Sequence, residues 1–555
     1  MTALRARRRV WIVAALAVTF LAVAFRCWRL FTVPPGLYID EVLTARNALA
    51  WRLDPHAGLF GSRPLLTPGW VETQNLYLAL ASALMGLGGD GPLGIRLVSV
   101  VPSLAAVPLI YWLAAQLSDR RTGLLAAFFL ACSHWAVRSG RTGWDAVLMV
   151  TLQLAALACL VHAQRRDRIA FAIAGGALVG LSLYTYVAAR LVLLHAVVWL
   201  AWEGRALSPR PSSEASSPDR FGRVLARVIA FLASVLVIAI PLRRQLENAS
   251  PSIRVTQLSV FSHDHPIQAI FENLLGHALM FNVRGGTYAR DALPGFPMLD
   301  PLTGALFLVG LVAVALHAAD AGLRFRLLLT WPAFMVLGGV LSTSGEGPPY
   351  PYRVLALAPW ACLAAAIGGV ALWDATRNRF TRPTRVGIAT IALLAVLAVN
   401  AWVLFIAGPR DPGTRHVYGT VPTRLGLWLA EHAQGRPVVI LPGVLTTPPL
   451  PPGYRYASAN PMNFFRPLDD LTAVHLAAGF YRRRPERSLD PLRPAGDIDL
   501  LPELPGTLTR PTLLVVPPSQ ERETARRYRI DRRVELRDDH DPSRSRLAII
   551  LLARP

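Results

Sequence analysis

The chain has 555 residues, and 53% of them are hydrophobic, which excludes an ordinary soluble protein of this length. The formal net charge is +22, and all 57 basic residues are arginines, a usage that a GC-rich genome explains. So basic a chain could bind nucleic acid, but many of the arginines lie in short segments between apolar runs. We therefore predict a membrane protein without a nucleic-acid partner. The four cysteines lie within apolar runs and show no metal-ligand spacing, which argues against a disulfide framework or a cysteine-based zinc site.

Apolar runs long enough to cross a hydrocarbon core of roughly 30 Å recur along the chain. The first run follows the arginines at positions 5–9 and resembles a signal peptide, but it lacks a convincing small-residue cleavage site. We therefore predict an uncleaved first span and a polytopic α-helical membrane protein. About eleven spans are expected, near 10–31, 95–117, 122–137, 144–163, 169–187, 190–203, 224–241, 301–318, 327–343, 354–373 and 386–407.

The arginine bias of the connecting segments predicts the orientation. When residues 5–9 are placed in the cytoplasm, every arginine-rich short loop falls on the same side, as the positive-inside rule requires. The opposite side receives loops 32–94, 242–300 and 344–353, together with the region after residue 408. We expect this arrangement in the cell (plasma or inner) membrane. Sites on the outer side would have no access to ATP or nucleotide sugars.

The C-terminal part differs from the rest in composition. It is polar and rich in proline, with buried-strand candidates at 438–441, 513–516 and 547–552 and an amphipathic helix around 423–432. We therefore predict two domains, a transmembrane domain over 1–408 and a small extracytoplasmic α/β domain over 409–555.

The first outer loop contains three acids. Asp40 and Glu41 follow a Pro-Pro-Gly turn at 34–36 and precede an amphipathic segment at 42–51, and Glu72 lies further along the loop. Such carboxylates can take a proton, bind a metal ion or orient a polar substrate. The alternative is that Asp40 caps the helix and Glu41 favours its positive end. Capping would need only one of the acids.

A second candidate group is Arg138, Arg141 and Asp145, at a predicted outer hairpin. If this stretch is helical, the spacing places all three side chains on one stripe. Arginines are disfavoured on this side, and a guanidinium binds phosphate oxygens in pairs, so we expect a phosphate or phosphodiester ligand. Interfacial snorkelling with an internal Arg141–Asp145 pair is the alternative.

Two further outer segments contain candidate substrate-binding residues. The hairpin at 184–190 includes Tyr186 and Arg190, although interfacial tyrosines are often only belt residues. The loop at 344–353 is rich in glycine and proline and ends with Tyr352 and Arg353. It could close over a substrate or serve as a plain connector.

In this order the pieces resemble membrane glycosyltransferases of the GT-C class. The nearer likeness is to the family that contains protein O-mannosyltransferases and the bacterial aminoarabinose transferase of lipid A (glycosyltransferase family 39-like). The resemblance covers roughly residues 10–375 and rests on short stretches, namely 36–41 (Gly-Leu-Tyr-Ile-Asp-Glu), the Glu72 segment, 133–145, 184–190 and 293–301 (Leu-Pro-Gly-Phe-Pro-Met-Leu-Asp-Pro).

The resemblance implies a donor sugar on a polyprenyl phosphate and an inverting transfer to an extracytoplasmic acceptor, which could be a protein, a lipid or a glycan. It implies that Asp40 is the base, with Glu41 beside it in the catalytic pair. Glu41, Glu72 and Asp145 would hold the acceptor or a divalent ion, and Arg138, Arg141 and Arg353 would hold the phosphate. No cofactor is required by the resemblance, although Asp40, Glu72 and Asp145 could bind Mg²⁺ or Mn²⁺.

Two other functions compete with this interpretation. A transporter or flippase of a lipid-linked or polar solute would place its charged groups near the bilayer midplane, and often shows internal repeats. Here the charged candidates lie at one predicted boundary, and no repeat is evident. A non-catalytic receptor would leave Asp40, Glu41 and Glu72 without a role.

Overall fold

The computed structural model describes most of the helical region and the strands of the C-terminal part. The described residues are 2–53, 57–58, 63–64, 75–89, 92–205, 218–248, 258–316, 318–344, 347–432, 436–441, 498–500, 504–505, 507–536 and 548–554.

The first part of the chain is helical. Its helices are α1 (Thr2–Cys27), α2 (Ile39–Leu53), α3 (Asn75–Gly88), α4 (Pro92–Leu117), α5 (Arg120–Cys132), α6 (His134–Ser139), α7 (Asp145–Arg166), α8 (Ile169–Ser182), α9 (Ala189–Arg205) and α10 (Pro218–Asn248). Two-residue strands β1 (Ala57–Gly58) and β2 (Arg63–Pro64) pair between α2 and α3.

The helices continue with α11 (Pro266–Leu279), α12 (Pro301–Leu316), α13 (Ala318–Met335), α14 (Leu337–Val340), α15 (Leu357–Ala375) and α16 (Arg382–Trp402). A π-helical turn, Val403–Ala407, and a short turn, Gly408–Arg410, lead into α17 (Pro412–Val417) and α18 (Thr420–His432).

Within the described residues, six helical stretches are long and apolar enough to cross a membrane: Arg9–Cys27, Pro92–Leu117, Asp145–Arg166, Gly222–Leu242, Leu357–Ala375 and Arg382–Arg410. Five shorter apolar helices accompany them, one of which, Leu76–Gly88, lies in the predicted first outer loop. The polytopic helical class is therefore confirmed, and the protein is a multi-pass membrane protein. The count of eleven spans and the orientation stay predictions.

The predicted span at 122–137 is interrupted. Helix α5 ends at Cys132, and α6 begins after Ser133, whose hydroxyl accepts a hydrogen bond from the Ala136 N–H. Helix α6 in turn ends at Ser139, well before α7 begins at Asp145. The expectation that Arg138, Arg141 and Asp145 share one helical stripe is therefore wrong, because they lie on a short helix, a turn and the start of the next helix.

Small residues allow the closest helix packing in the bundle. A Cβ added at Gly310 of α12 would lie 1.9 Å from the carbonyl oxygen of Ala364 in α15. A Cβ added at Gly368 of α15 would lie 2.0 Å from the carbonyl oxygen of Leu306. Glycine at both positions lets the two backbones touch, which is how helices associate where hydrophobic burial is no driving force.

The C-terminal part contains a five-stranded sheet. Its strands are β3 (Val438–Ile440), β4 (Ile498–Leu500), β5 (Thr512–Val516), β6 (Arg529–Leu536) and β7 (Ala548–Arg554), with a short helix, α19 (Glu521–Arg527), before β6. The order is β4-β3-β5-β7-β6, with β4, β3 and β5 parallel and β7 antiparallel to both neighbours. The three strands predicted from sequence are therefore present.

Apolar clusters cover both faces of this sheet, which explains its continuous apolar strands. Leu425 and Leu429 of α18 pack into one of these clusters. Helix α18 was predicted at 423–432 and begins three residues earlier, at Thr420. The same helix contacts the segment before α2, because the Thr423 hydroxyl accepts the Leu37 N–H.

Candidate functional site

The acidic pair lies in the first turn of α2, and its two members have different surroundings. Glu41 is fully buried, whereas Asp40 is half-buried. One Glu41 oxygen, Oε2, accepts the Tyr38 N–H at 2.9 Å, which is half of a capping box. The other, Oε1, accepts the Gly143 N–H at 3.1 Å and Arg96 Nε at 3.3 Å. Glu41 therefore joins three chain segments with the oxygens that a base would need free.

Arg96 completes this buried group. Besides Glu41, its guanidinium donates to the carbonyls of Leu30, Pro34 and Gly36. The Pro-Pro-Gly turn thus has its backbone oxygens satisfied by an arginine of α4. Burial raises the pKa of the Glu41 carboxyl, and Arg96 with the two backbone donors opposes that rise.

Arg141 is fully buried and turned toward the end of α1. Its Nε lies 3.0 Å from the carbonyl oxygen of Val33, its Nη1 2.6 Å from that of Phe25, and its Nη2 2.8 Å from that of Trp28. The Phe25 carbonyl lies in the last turn of α1, where acceptors lack intrahelical partners, and Trp28 and Val33 follow that turn. All three nitrogens of Arg141 are therefore engaged by backbone, and the side chain stabilises the loop before the acidic pair.

Arg138 contacts a different loop. Its Nη2 lies 2.5 Å from the carbonyl oxygen of Ala289 and 3.2 Å from the Thr414 hydroxyl, and its Nε donates to the Arg290 carbonyl at 3.1 Å. The guanidinium also stacks on Tyr418 at 5.5 Å. Arg138 thus holds the segment around residue 290.

Asp145 begins α7 and belongs to a cluster with two of the predicted tyrosines. The Tyr352 hydroxyl donates to Asp145 Oδ1 at 2.5 Å, and the Tyr186 ring lies 5.3 Å from the Tyr352 ring. Burial raises the pKa of Tyr352 well above its usual range, and Asp145 adds to that rise. The phenol therefore keeps its proton and acts as the donor.

Asp40 directly follows Tyr38 and Ile39, which pack among the aromatic residues of the same cluster. Its charge lies close enough to act on Tyr38, Tyr352 and Asp145. The structure thus brings together segments 38–40, 145, 186 and 352, which were predicted to share one side of the membrane. The Asp145 carboxylate and the Tyr352 phenol are in contact here, and the Asp40 charge acts on both.

Arg290 was missed by the sequence interpretation and lies at the centre of this cluster. Its guanidinium carbon is 4.8–5.6 Å from the ring centres of four aromatic residues, Tyr38, Trp144, Tyr288 and Tyr352. Its Nε lies 2.5 Å from Asp291 Oδ1, and its Nη2 3.2 Å from Asp291 Oδ2. Burial opposes the charge, but Asp291 and the neighbouring phenols raise the pKa of Arg290, so it stays cationic.

A signal for Arg290 was present in the sequence. The stretch 285–291 places two glycines, a tyrosine and an Arg-Asp pair in a predicted outer loop, where arginine is disfavoured. The same argument led to Arg138 and Arg141. It was not applied to the longer loop.

Three candidates remain, Arg190, Arg353 and Glu72. Arg190 is exposed at the second residue of α9. Arg353 stacks on Tyr350 at 4.7 Å and donates to the Thr343 carbonyl. Glu72 lies outside the described residues. Within the described ranges, no group of three His, Cys, Asp or Glu side chains is placed to hold a metal ion.

Comparison with known proteins gives one family match. Residues 76–211 match the model described as dolichyl-phosphate-mannose-protein mannosyltransferase. These residues include Arg138, Arg141, Asp145, Tyr186 and Arg190. No curated protein matches the chain by sequence.

Two solved structures align with this chain at TM-scores below 0.5. ArnT from Cupriavidus metallidurans bound to undecaprenyl phosphate is 14% identical, with a TM-score of 0.49, and the match covers 98% of each chain. The oligosaccharyltransferase AglB from Archaeoglobus fulgidus, in complex with an inhibitory peptide and a dolichol-phosphate, is 13% identical, with a TM-score of 0.46. The latter match covers 78% of this chain and 62% of AglB, so the chain spans less than two thirds of that protein's length. The family match confirms the expected resemblance: over residues 76–211 this chain is similar to the dolichyl-phosphate-mannose-protein mannosyltransferases, which are GT-C glycosyltransferases.

Proposed function

We propose that this protein is a membrane glycosyltransferase that moves a sugar from a polyprenyl-phosphate carrier to an acceptor hydroxyl. The family resemblance supports the reaction class. The observation that carries the proposal is the position of the Arg290 guanidinium between two aromatic rings. One is Tyr352, whose hydroxyl donates to Asp145, and the other is Tyr38, two residues before Asp40. A base and an anion-binding group within one cluster are what glycosyl transfer from a phosphate requires.

Asp40 is the proposed base. As the acceptor oxygen attacks the anomeric carbon, its proton passes to a carboxylate, and Asp40 is the half-buried member of the acidic pair. Asp145, held by the Tyr352 hydroxyl, is placed to orient the acceptor. Glu41 is proposed to position the start of α2, because its oxygens already accept three hydrogen bonds.

Arg290 is the proposed phosphate ligand. When the bond between the anomeric carbon and the phosphate oxygen breaks, its electron pair leaves with the phosphate, and a fixed cation stabilises that charge. The Arg290 guanidinium stacks on Tyr352, whose hydroxyl contacts Asp145, so cation and carboxylate share one neighbour. Arg138 and Arg141 are reassigned to the backbone loops that they bind. Arg353, Tyr186 and Arg190 remain proposed substrate contacts on sequence grounds.

The location and the substrates complete the proposal. With residues 5–9 in the cytoplasm, the cluster faces away from the cytoplasm, where lipid-linked donors replace nucleotide sugars. We propose a hexose or pentose as the transferred sugar and a protein, lipid or glycan as its acceptor. The two-domain division at residue 408, with the sheet outside the cytoplasm, belongs to the same proposal.

The test is sugar transfer in proteoliposomes with a panel of radiolabelled polyprenyl-phosphate sugars. Wild-type protein should transfer label, and Asp40→Asn should lower the rate by a factor of about 100 or more, the typical contribution of a general base. Asp374→Asn is the matched control, since it removes an exposed carboxylate paired with Arg121. Wild-type rates in Asp40→Asn would refute the base assignment. Solute uptake without transfer by the wild type would favour a transporter.

A further inference from the structure

The segment just after α17 reaches back into the candidate site. Tyr418 is fully buried, and its hydroxyl donates to the backbone carbonyl of Arg290 at 2.9 Å. Its ring lies 6.0 Å from that of Tyr38, two residues before Asp40. One side chain therefore touches both the loop that contains Arg290 and the segment that leads into α2.

The backbone around Tyr418 is fitted to the same segment. A Cβ added at Gly36 would lie 2.1 Å from the Tyr418 carbonyl oxygen, so only glycine allows this approach. Gly419 follows with a φ of +48°, a conformation that glycine adopts at no steric cost. The Leu37 N–H then donates to the Thr423 hydroxyl at 3.0 Å. The connection is therefore built by several independent contacts.

Arg138 shares the target of Tyr418. Both side chains donate to the Arg290 carbonyl, and the Arg138 guanidinium stacks on the Tyr418 ring. Because this carbonyl belongs to Arg290 itself, fixing it restricts where the guanidinium can lie. The helix that follows Tyr418, α18, packs against the C-terminal sheet through Leu425 and Leu429.

We propose that Tyr418 is a positioning residue through which the C-terminal sheet region holds Arg290 in place for the donor phosphate. The role of Arg290 as phosphate ligand rests on the proposed function. The restraint on the loop at residues 284–298, between α11 and α12, does not. Removing the Tyr418 hydroxyl should leave the carbonyl with its Arg138 donor, so the chain should fold while the loop becomes looser.

The first experiment is amide hydrogen exchange on Tyr418→Phe in detergent micelles. Exchange in 284–298 should rise roughly two- to tenfold, the factor that one net hydrogen bond supplies. Tyr184→Phe is the matched control, because that phenol also donates to a backbone carbonyl, at 2.8 Å, but to that of Ile238 in α10. Equal exchange in the 284–298 loop of wild type and Tyr418→Phe would overturn the proposal.

The second experiment measures transfer. The KM for the polyprenyl-phosphate donor should rise roughly two- to tenfold in Tyr418→Phe with kcat within a factor of two, because the ligand is misplaced rather than removed. A purely structural defect would lower kcat in proportion to the folded fraction and leave KM unchanged, which would contradict the proposal. If the wild type transfers no sugar, the proposed function fails, while faster loop exchange in Tyr418→Phe would still support the restraint.

Discussion

Glu41→Gln is the substitution that best distinguishes the proposed role of Glu41 from that of Asp40. The substitution keeps the side-chain shape but removes the charge that faces the buried Arg96. It also replaces one of the two acceptor oxygens by an NH₂ donor. In the wild type both oxygens are used, Oε2 by the Tyr38 N–H and Oε1 by the Gly143 N–H. At least one buried donor then loses its partner.

The magnitude follows from this geometry. Breaking a buried ion pair by removing one partner typically costs about 3–5 kcal/mol, because the remaining charge stays buried without compensation. Asp119→Asn is the matched control: it removes the charge from a pair with Arg121 whose side chains are 38% and 49% exposed. Asparagine also caps helices well, so this control should cost less than about 1 kcal/mol.

The assay is equilibrium unfolding in mixed detergent micelles, followed by helical circular dichroism. Glu41→Gln should lose several kcal/mol of unfolding free energy, whereas Asp40→Asn should stay within about 1 kcal/mol of wild type and lose transfer instead. A Glu41→Gln protein as stable as wild type but without activity would refute the structural assignment. Glu41 would then be catalytic, as the sequence motif suggested.

Three further predictions concern other buried groups. Tyr352→Phe should lower the rate of sugar transfer roughly tenfold, because Asp145 loses its hydrogen-bond donor. The free energy of unfolding should fall by only about 1 kcal/mol. The two assays above measure both quantities, and an unchanged transfer rate would show that Tyr352 is not part of the site. Burial lowers the pKa of His277 to about 4, and the neutral ring accepts the Tyr350 N–H at 3.1 Å. The contribution of His277 to the free energy of unfolding is therefore complete above pH 6.5 and is lost as the pH falls toward 4. At pH 5 about 2 kcal/mol of it should be lost. A His277→Gln variant should lack that part of the pH dependence of the free energy of unfolding. Asn400→Leu should cost about 2–3 kcal/mol in chemical unfolding, since it removes the donor to Asp300 and the acceptor for the His134 N–H; a near-neutral result would mean that water replaces the amide.

Local pattern accounts for what could be predicted. Apolar runs identified the helices, because hydrophobicity and length alone decide whether a segment can cross a bilayer. The strands at 438–441, 513–516 and 547–552 were recognisable for the same reason, since a strand buried on both faces is continuously apolar. The short motifs around Asp40 and Asp145 carried the resemblance to the GT-C class.

The division of labour among the charged residues required the tertiary structure. Asp40 and Glu41 are adjacent acids in the sequence, and only folding brings Arg96 and the Gly143 N–H to one of them, Glu41. The positions of Arg138 and Arg141 in the sequence predict phosphate ligands, and only the folded chain shows the backbone carbonyls that they bind.

The position of Arg290 in the site could not be predicted from the sequence either. Three of its four aromatic neighbours, Tyr38, Trp144 and Tyr352, come from distant segments of the chain. Its backbone carbonyl is held by Arg138 and Tyr418. Hydropathy and spacing report on neighbours along the chain, whereas a buried polar group is defined by partners that folding brings to it. The sequence by itself therefore determined the membrane class and which charged residue types are present. Only the tertiary structure decided which of these charged side chains are bound by distant parts of the chain, because those partners come together on folding.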